Sequence, residues 1–447
     1  MFQTIISTIS SFMYSKLLVI ILIGAGVYFT VRTRFPQVRL FKRACGSVME
    51  KPEDKKAISS FQALMVSTAS RVGTGNIVGV SSAICIGGFG SVFWMWVIAI
   101  IGSASALIES TLAQIYKKKG EDGSCYGGPA YYIEAALHCR PLAIVFCVAM
   151  ILTYAFGFNM LASYNLQSTF SVFSFYDAKM SPWIIGGILA VLTGWCLLGG
   201  GSRIVKVTSM LVPVMGIAYI GISLLVVIIN IQNVPAMFVR IFEEAFDFKA
   251  IFGAFSGSAM MQGIRRGLYS NEAGIGSAPN ASAAANVSHP VKQGLIQALG
   301  VFIDTLVICS CSAFLMLLAP AEKIEGLMGM DLLQAAMNHH LGYAGVVFIA
   351  VVLFLFSFST FLGILYYARC NVSYVFGDTW KAQTGYKIFL LIMLFIGGVA
   401  AYEFVWELGD LGVGLMTVFN MIAIVPLSGQ AINALKDYET NYKKKKA

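Results

Sequence analysis

The sequence predicts an all-α, polytopic membrane protein. It would have eleven transmembrane helices in a five-plus-five inverted repeat, one extra N-terminal helix, and two helices that are discontinuous. Three observations carry this. The 447 residues are 57% hydrophobic and only 12% charged, half the charge of an ordinary soluble domain, which carries about 25%. Charge is also absent over whole stretches: residues 72–108, 141–176, 180–202, 207–239, 332–368 and 411–435 contain no Asp, Glu, Lys or Arg. About 20 mainly apolar residues suffice to cross roughly 30 Å of hydrocarbon. Finally, two apolar segments are broken by polar, glycine-rich runs, Arg71-Val-Gly-Thr-Gly-Asn76 and Ser270-Asn-Glu-Ala-Gly-Ile-Gly-Ser277.

The spans fall at about 15–33, 58–88, 91–116, 141–170, 182–200, 204–230, 250–280, 293–319, 342–370, 386–402 and 409–434. The start lacks a basic n-region and a small-residue cleavage site, so the first span is expected to be retained. Short polar helices are expected at the membrane surface near Phe35–Lys51 and Gly128–Leu137. A β-barrel is excluded, because its strands would alternate apolar and polar in segments of about 10 residues.

Basic residues orient the bundle. With the N-terminus outside, 25 of the 31 Lys and Arg residues fall on inner segments and five on outer ones, leaving Arg71 in the membrane. In that count Arg265 and Arg266 stand on the inner side. The positive-inside rule then puts the N-terminus out and the C-terminus in the cytoplasm, which requires an odd number of spans. This arrangement explains the net charge of +9 without nucleic acid. The run Lys443–Lys446 reads as a solvated tail that favours anionic lipid. The expected organisation is an extra helix and basic segment (1–56), a first repeat (57–230), an external connection (231–249), a second repeat (250–435) and a basic tail (436–447), all in a plasma (inner) membrane.

Nine scattered cysteines form no Cys-x-x-Cys pair, so no metal, redox or other cofactor site is indicated. The four histidines (138, 289, 339 and 340) read as surface residues in loops. Oligomeric state leaves no mark in the sequence.

The interruptions carry the functional argument. Irregular backbone at membrane depth must line a cavity or be buried in protein. Gly73 and Gly75 make unwinding cheap and expose peptide groups. The half-helix beginning near Asn76 would aim its positive end at an anionic group, and freed carbonyls would suit a hard cation such as sodium. A lone Gly-x-Gly is more simply a close-packing site. Two interruptions five spans apart fit an inverted repeat with a substrate site at the midplane.

At these residues the chain resembles the alanine/glycine:cation symporter family. Arg71-Val-Gly-Thr-Gly-Asn-Ile-Val-Gly79, Val92-Phe-Trp-Met-Trp96, Gly127-Gly-Pro-Ala130, Ser270-Asn-Glu-Ala-Gly-Ile-Gly-Ser-Ala-Pro-Asn280 and Phe302-Ile-Asp-Thr-Leu-Val-Ile-Cys309 match its patterns. The resemblance runs from about Gly24 to Asn433. It implies the leucine-transporter-type fold and transport of a small neutral amino acid, alanine or glycine, with sodium or, in some members, protons. It also implies roles: Gly73, Thr74 and Gly75 would hold the substrate carboxylate, and Asn76 would lie beside substrate or ion. The Ala69 and Val72 carbonyls would face Ser359, Thr360 and the Phe356 carbonyl across a sodium site. Taken alone, Ser357-Phe-Ser-Thr360 reads as local helix bonding. The fourth span departs from the family: Ala162 and Tyr164 stand where relatives carry Gln and Asn. The freed space opens the alternative of a longer substrate such as glutamine.

Arg71, Glu109 and Asp304 stand in or beside apolar spans, where a charge costs at least about 2.5 kcal/mol on insertion scales. Glu109 is expected to brace the second broken helix. Asp304 divides evenly between bracing and cation or proton coupling, with Arg71 or the Ser270–Gly276 backbone as partner. Glu272 is expected to act as a cap or inner-gate contact. The rival classes are a membrane-embedded enzyme and a channel. No His-Glu-x-x-His, Gly-x-Ser-x-Gly or Walker-type motif is present, and Ser256 is a lone serine. Paired discontinuous helices suit a carrier better than a continuous pore.

Overall fold

The computed structural model describes residues 2–52, 57–119, 125–247, 258–399 and 402–446. The chain opens with α1 (Ile6–Arg32), turns through left-handed backbone at Arg34 and Phe35, and continues in the short α2 (Phe41–Val48). The second expected span is two helices, α3 (Ser60–Arg71) and α4 (Val78–Gly87), joined by a 3-10 turn at Thr74–Asn76. Then come α5 (Gly90–Ile115), α6 (Pro129–Leu137), α7 (Arg140–Val172), α8 (Ser181–Leu198) and α9 (Gly200–Ile229). Within the expected external connection lies α10 (Val234–Ala245).

The seventh expected span is again two helices, α11 (Ala259–Asn271) and α12 (Ala278–Ala284). Its opening residues 250–257, including Ser256, lie outside the described residues. The chain ends with α13 (Pro290–Leu317), α14 (Gly329–Leu341), α15 (Tyr343–Phe376), α16 (Trp380–Gly397) and α17 (Tyr402–Lys446). Among the described residues, eight helices are long and apolar enough to cross a membrane: α1, α5, α7, α8, α9, α13, α15 and the Phe404–Asn441 stretch of α17. Helix is the outcome because hydrocarbon offers no water to satisfy peptide groups.

The apolar windows of α5, α13 and α15 are 67–72% buried, whereas those of α1, α8 and α9 are 28–39% buried. The first set is therefore core and the second a shell. Small residues set the close approaches. A Cβ on Gly294 would press on the Leu107 carbonyl, and one on Gly363 would overlap the Ser70 backbone. Helices α7 and α13 each contain a π-helical turn, Thr153–Phe158 and Phe302–Cys309. Such turns recur at functional sites because they free backbone groups.

The two faces of the bundle differ. Where α12 ends, Ile58 and Ala285 form a parallel bridge, Asn286 N–H donates to the Ile58 carbonyl at 3.0 Å, and Lys117 Nζ donates to the Ala285 carbonyl at 3.0 Å. Gln114 donates to the Ser282 and Ala285 carbonyls. At the opposite end a cavity of about 520 Å³ opens among Tyr164, Arg265, Asp331, Trp406 and Asp410.

Several sequence expectations change here. Arg265 and Arg266 lie on α11, beside the Ser91 end of α5 rather than its Lys117 end: Gly263 abuts Ser91, Trp94 and Met95. They therefore leave the inner side of the charge count, though the excess there remains. His339 and His340 are helical, on α14, rather than in a loop. Helix α6 is not a purely surface element, because Tyr132 and Ile133 are buried. Lys118–Lys119 and Cys125–Tyr126 pair as a two-stranded hairpin, β1 and β2.

Candidate functional site

Helix α3 runs to Arg71, capped at its start by the Ser59–Gln62 capping box. It stops at Val72, whose N–H still reaches the Thr68 carbonyl at 2.7 Å. Gly73 follows because nothing larger fits: a Cβ there would overlap the Thr360 hydroxyl. The Gly73 N–H donates to Asn76 Oδ1 at 3.0 Å, and Asn76 N–H returns to the Gly73 carbonyl at 3.2 Å. Among the described residues, no acceptor reaches the N–H groups of Thr74 and Gly75.

The second interruption has a different local logic. Glu272 takes a left-handed conformation (φ 53°), as do Gly274 and Gly276. The Glu109 carboxylate, on α5, accepts from Gly274 N–H at 3.2 Å, Gly276 N–H at 3.1 Å and Asn420 Nδ2 at 2.8 Å. Charge-assisted bonds of this kind are about twice as strong as neutral ones. The Glu272 carboxylate accepts three hydroxyls: Ser70 at 2.9 Å, Tyr154 at 3.1 Å and Ser277 at 2.5 Å.

One polar cluster joins the two breaks. Asn76 Nδ2 donates to Ser270 Oγ at 2.9 Å and to the Asp304 carboxylate. Ser270 and Thr305 hydroxyls each donate to Asp304 at 3.0 Å. All of these side chains are buried, so each hydrogen bond spares a desolvation cost of roughly 1–3 kcal/mol. Nearby, Ser359 and Thr360 hydroxyls both donate to the Phe356 carbonyl at 2.9 Å. That fixes their protons toward their own helix and leaves oxygen lone pairs pointing away from it. The Gly73–Thr360 approach places this pair against the end of α3, where Ala69 and Val72 are also buried.

Ala162 is fully buried on α7. Its neighbours Asn159 and Ser163 face α16, donating to the Leu390 and Leu394 carbonyls at 2.8 and 2.7 Å. One turn earlier, Phe158 stacks on Tyr269 with centroids 4.4 Å apart. Helical periodicity places Ala162 on the Phe158 side, and the Asn159–Thr169 stretch packs on Thr74–Asn76.

Two partner assignments from the sequence are corrected. Asp304 meets Asn76 and two hydroxyls rather than Arg71 or the Ser270–Gly276 backbone. Arg71 turns toward α13, 3.5 Å from the Gln297 carbonyl, with Nε and Nη2 unpartnered.

Sequence reasoning missed the outer cover of the cluster. Tyr269 lies between Phe158 and Trp406, 5.1 Å from the latter. Arg266 sits 4.2 Å over the Trp406 ring. Asp410, fully buried, takes Arg265 at 2.5 Å and Arg266 at 3.3 Å. The available signal was Asp410 itself, an acid between apolar runs with an Arg-Arg pair inside another span.

The match to the sodium:alanine symporter family extends over residues 1–447. A Bacillus subtilis (strain 168) protein, "Probable sodium/glutamine symporter GlnT", is 43% identical over 98% of this chain and 90% of its own length. "Sodium/alanine symporter AgcS" of Methanococcus maripaludis is 35% identical over 98% and 97%. The crystal structure of MhsT in complex with L-phenylalanine superposes with a TM-score of 0.61 at 13% identity, covering 86% of this chain and 99% of that one; this likeness establishes the leucine-transporter-type fold. No groups of three or more His, Cys, Asp or Glu that could hold a metal ion occur among the described residues. Fold, interrupted helices and full-length similarity converge, and the chain belongs to the sodium:alanine symporter family, a family of membrane transporters rather than enzymes.

Proposed function

We propose that the protein imports a small neutral amino acid, alanine or glycine, together with sodium by alternating access. The observation that carries this is the first interruption, where the N–H groups of Thr74 and Gly75 lack an acceptor among the described residues inside a buried polar cluster. A substrate carboxylate bound by Gly73, Thr74 and Gly75 supplies that acceptor, with Asn76 fixing the loop and Ala162 bounding the side-chain pocket. Sodium is read between the Ala69 and Val72 carbonyls, the Ser359 and Thr360 oxygens and the Phe356 carbonyl. Five oxygens suit a small hard cation, and unwound carbonyls are its usual ligands in this fold class. Glu109 braces the second interruption, and Glu272 ties it to α3 through Ser70. Asp304 and Arg71 are the charges left to coupling.

In this reading α3 with α4 and α11 with α12 each count as one span. With α16 they make eleven, in two inverted repeats (57–230 and 250–435) behind the extra first helix. The N-terminus is outside, and the face closed by Ile58 and Ala285 is cytoplasmic. The outer cavity above Tyr269 is the entry vestibule.

Uptake of labelled alanine, glycine and glutamine into proteoliposomes, with and without an inward sodium gradient, tests the reading. Gradient-driven accumulation supports it; equal uptake under both conditions, with no proton dependence, overturns the coupling. A second reading, glutamine selectivity, is favoured by the small residue at Ala162 and by the glutamine symporter named among the relatives. Proton coupling through Asp304 is the corresponding alternative for the ion.

A further inference from the structure

The turn after α1 builds a surface that the transport reading leaves unused. Arg34 and Phe35 both hold left-handed backbone, at φ 58° and 53°, a conformation that costs energy in a residue with a Cβ. Beyond it the segment is two-faced. Pro36, Gln37, Leu40, Ala44 and Ser47 are buried, with Gln37 Nε2 donating to the Ile100 carbonyl at 3.2 Å. The other face interleaves cations with apolar groups: Val38 is 70% and Met49 78% exposed, beside exposed Phe35 and Phe41. Arg32, Arg34 and Lys42 are exposed and form no ion pair among the described residues.

The cations nearby that do have partners act differently. Arg39 pairs with Glu439 at 2.8 Å. Glu50 receives Lys292 at 2.6 Å and Ser288 at 3.2 Å, and His289 meets Asp437 at 3.2 Å. The Arg39 pair ties the segment to α17, while the bonds of Ser288, His289 and Lys292 hold the loop between α12 and α13, the same loop that closes the Ile58–Ala285 face. One side of the segment is thus a clamp on the closed gate, and the other is a basic, apolar surface facing outward.

We propose that Arg32, Arg34 and Lys42, with Phe35, Val38 and Met49, form a docking surface for anionic phospholipid headgroups, and that the docked lipid steadies this clamp. Charge complementarity selects the partner: the cytoplasmic leaflet is anionic, and each Lys or Arg at its surface is worth about a fivefold change in partitioning. The apolar side chains enter the headgroup boundary. The proposal rests on the orientation given above, which makes this face cytoplasmic.

The test uses full-length wild type and the triple variant R32Q/R34Q/K42Q. Lipid carried through purification is quantified, and uptake is measured in phosphatidylcholine vesicles with and without phosphatidylglycerol. Wild type is expected to retain anionic lipid and to transport several-fold faster with phosphatidylglycerol. The triple variant is expected to lose both responses while matching wild type in phosphatidylcholine alone. The control K323Q, on the short helix Ala321–Ile324 that lies beside Ile84 and Cys85 at the opposite end of the bundle, should keep both. Equal lipid retention by wild type and variant overturns the proposal, as does a cross-link through Met49 to a second copy. If the triple variant does not fold, a salt series on wild type decides, because headgroup docking weakens with salt whereas apolar contact does not. Lipid retention is read in detergent and needs no transport, so its failure is separable from failure of the symport reading.

Discussion

The two helix interruptions meet in one polar cluster yet are completed in opposite ways. At Glu272–Ser277 the exposed N–H groups of Gly274 and Gly276 are bound by a carboxylate the protein carries itself, Glu109, which Asn420 holds in place. At Val72–Asn76 the corresponding groups of Thr74 and Gly75 meet no acceptor among the described residues. Both ends are positive poles suited to an anion. One has its anion built in, and in the proposed function the other receives its anion from the amino acid. On that reading the break completed from within is a brace, and the break left incomplete is a binding site.

The largest expected effect tests the permanent side. Glu109→Gln keeps size but loses the charge and one acceptor, so a Gly274 or Gly276 N–H is left buried and unpaired. Leaving one such buried donor unpaired costs about 1–3 kcal/mol, and the charge-assisted bonds that remain weaken to neutral ones. Transport should fall below detection for every substrate, and the melting temperature in detergent should drop. Residual transport with an altered substrate preference would instead make Glu109 part of the binding side.

Asn76→Ala comes next, because Asn76 serves both breaks. It removes the Gly73 cap and the bonds to Ser270 and Asp304, each worth roughly 1 kcal/mol net. A loss of ten- to hundredfold in transport efficiency is expected, measured as initial uptake rate against alanine concentration. Loss confined to stability, with the alanine dependence unchanged, would return Asn76 to bracing alone.

Thr360→Val sharpens the incomplete side. The variant is nearly isosteric and deletes one oxygen against Gly73. The sodium concentration for half-maximal uptake should rise about tenfold, equivalent to 1.4 kcal/mol, and Ser359→Ala should act in the same direction. An unchanged sodium dependence in folded protein would leave both hydroxyls as internal helix bonds to Phe356.

The smallest effect expected is at Ala162→Gln, which fills the pocket wall. Shape changes in an apolar pocket discriminate by about 1–3 kcal/mol, so glutamine uptake should fall several-fold relative to alanine and glycine. A constant glutamine-to-alanine ratio would remove Ala162 from the pocket.

Much of this contrast was legible in the sequence. The glycines at 73, 75, 274 and 276 mark both breaks, and an acid at 109 inside an apolar span announces a structural or functional partner. What could not be read was pairing. The sequence names Asp304 as a buried acid, but only the three-dimensional approach of α4, α11 and α13 selects Asn76 and Ser270 over Arg71. For the same reason Arg265 and Arg266 are counted among the inner cations. Counting charges along a chain assigns them to a boundary, whereas their neutralisation by Asp410, far away in sequence, lets them sit within the bundle. The extent of α14 was hidden too, since its exposed polar residues, Asp331, Asn338 and His339, resemble a loop although Leu333 and Met337 beside them are buried.

Tyr269 and Ser270 are consecutive residues of α11. The first closes against Phe158 and Trp406, and the second bonds Asn76 and Asp304. On a helix, neighbours point about 100° apart, so one rigid rotation must move both. Swinging the ring aside shifts the hydroxyl that organises the floor, and seating the hydroxyl returns the ring. On the proposed transport reading, with entry past Tyr269, admission and retention are therefore coupled through one helix: opening the door disturbs the floor, and a settled floor holds the door shut. A solute that seats poorly on that floor would then leave the door free to reopen.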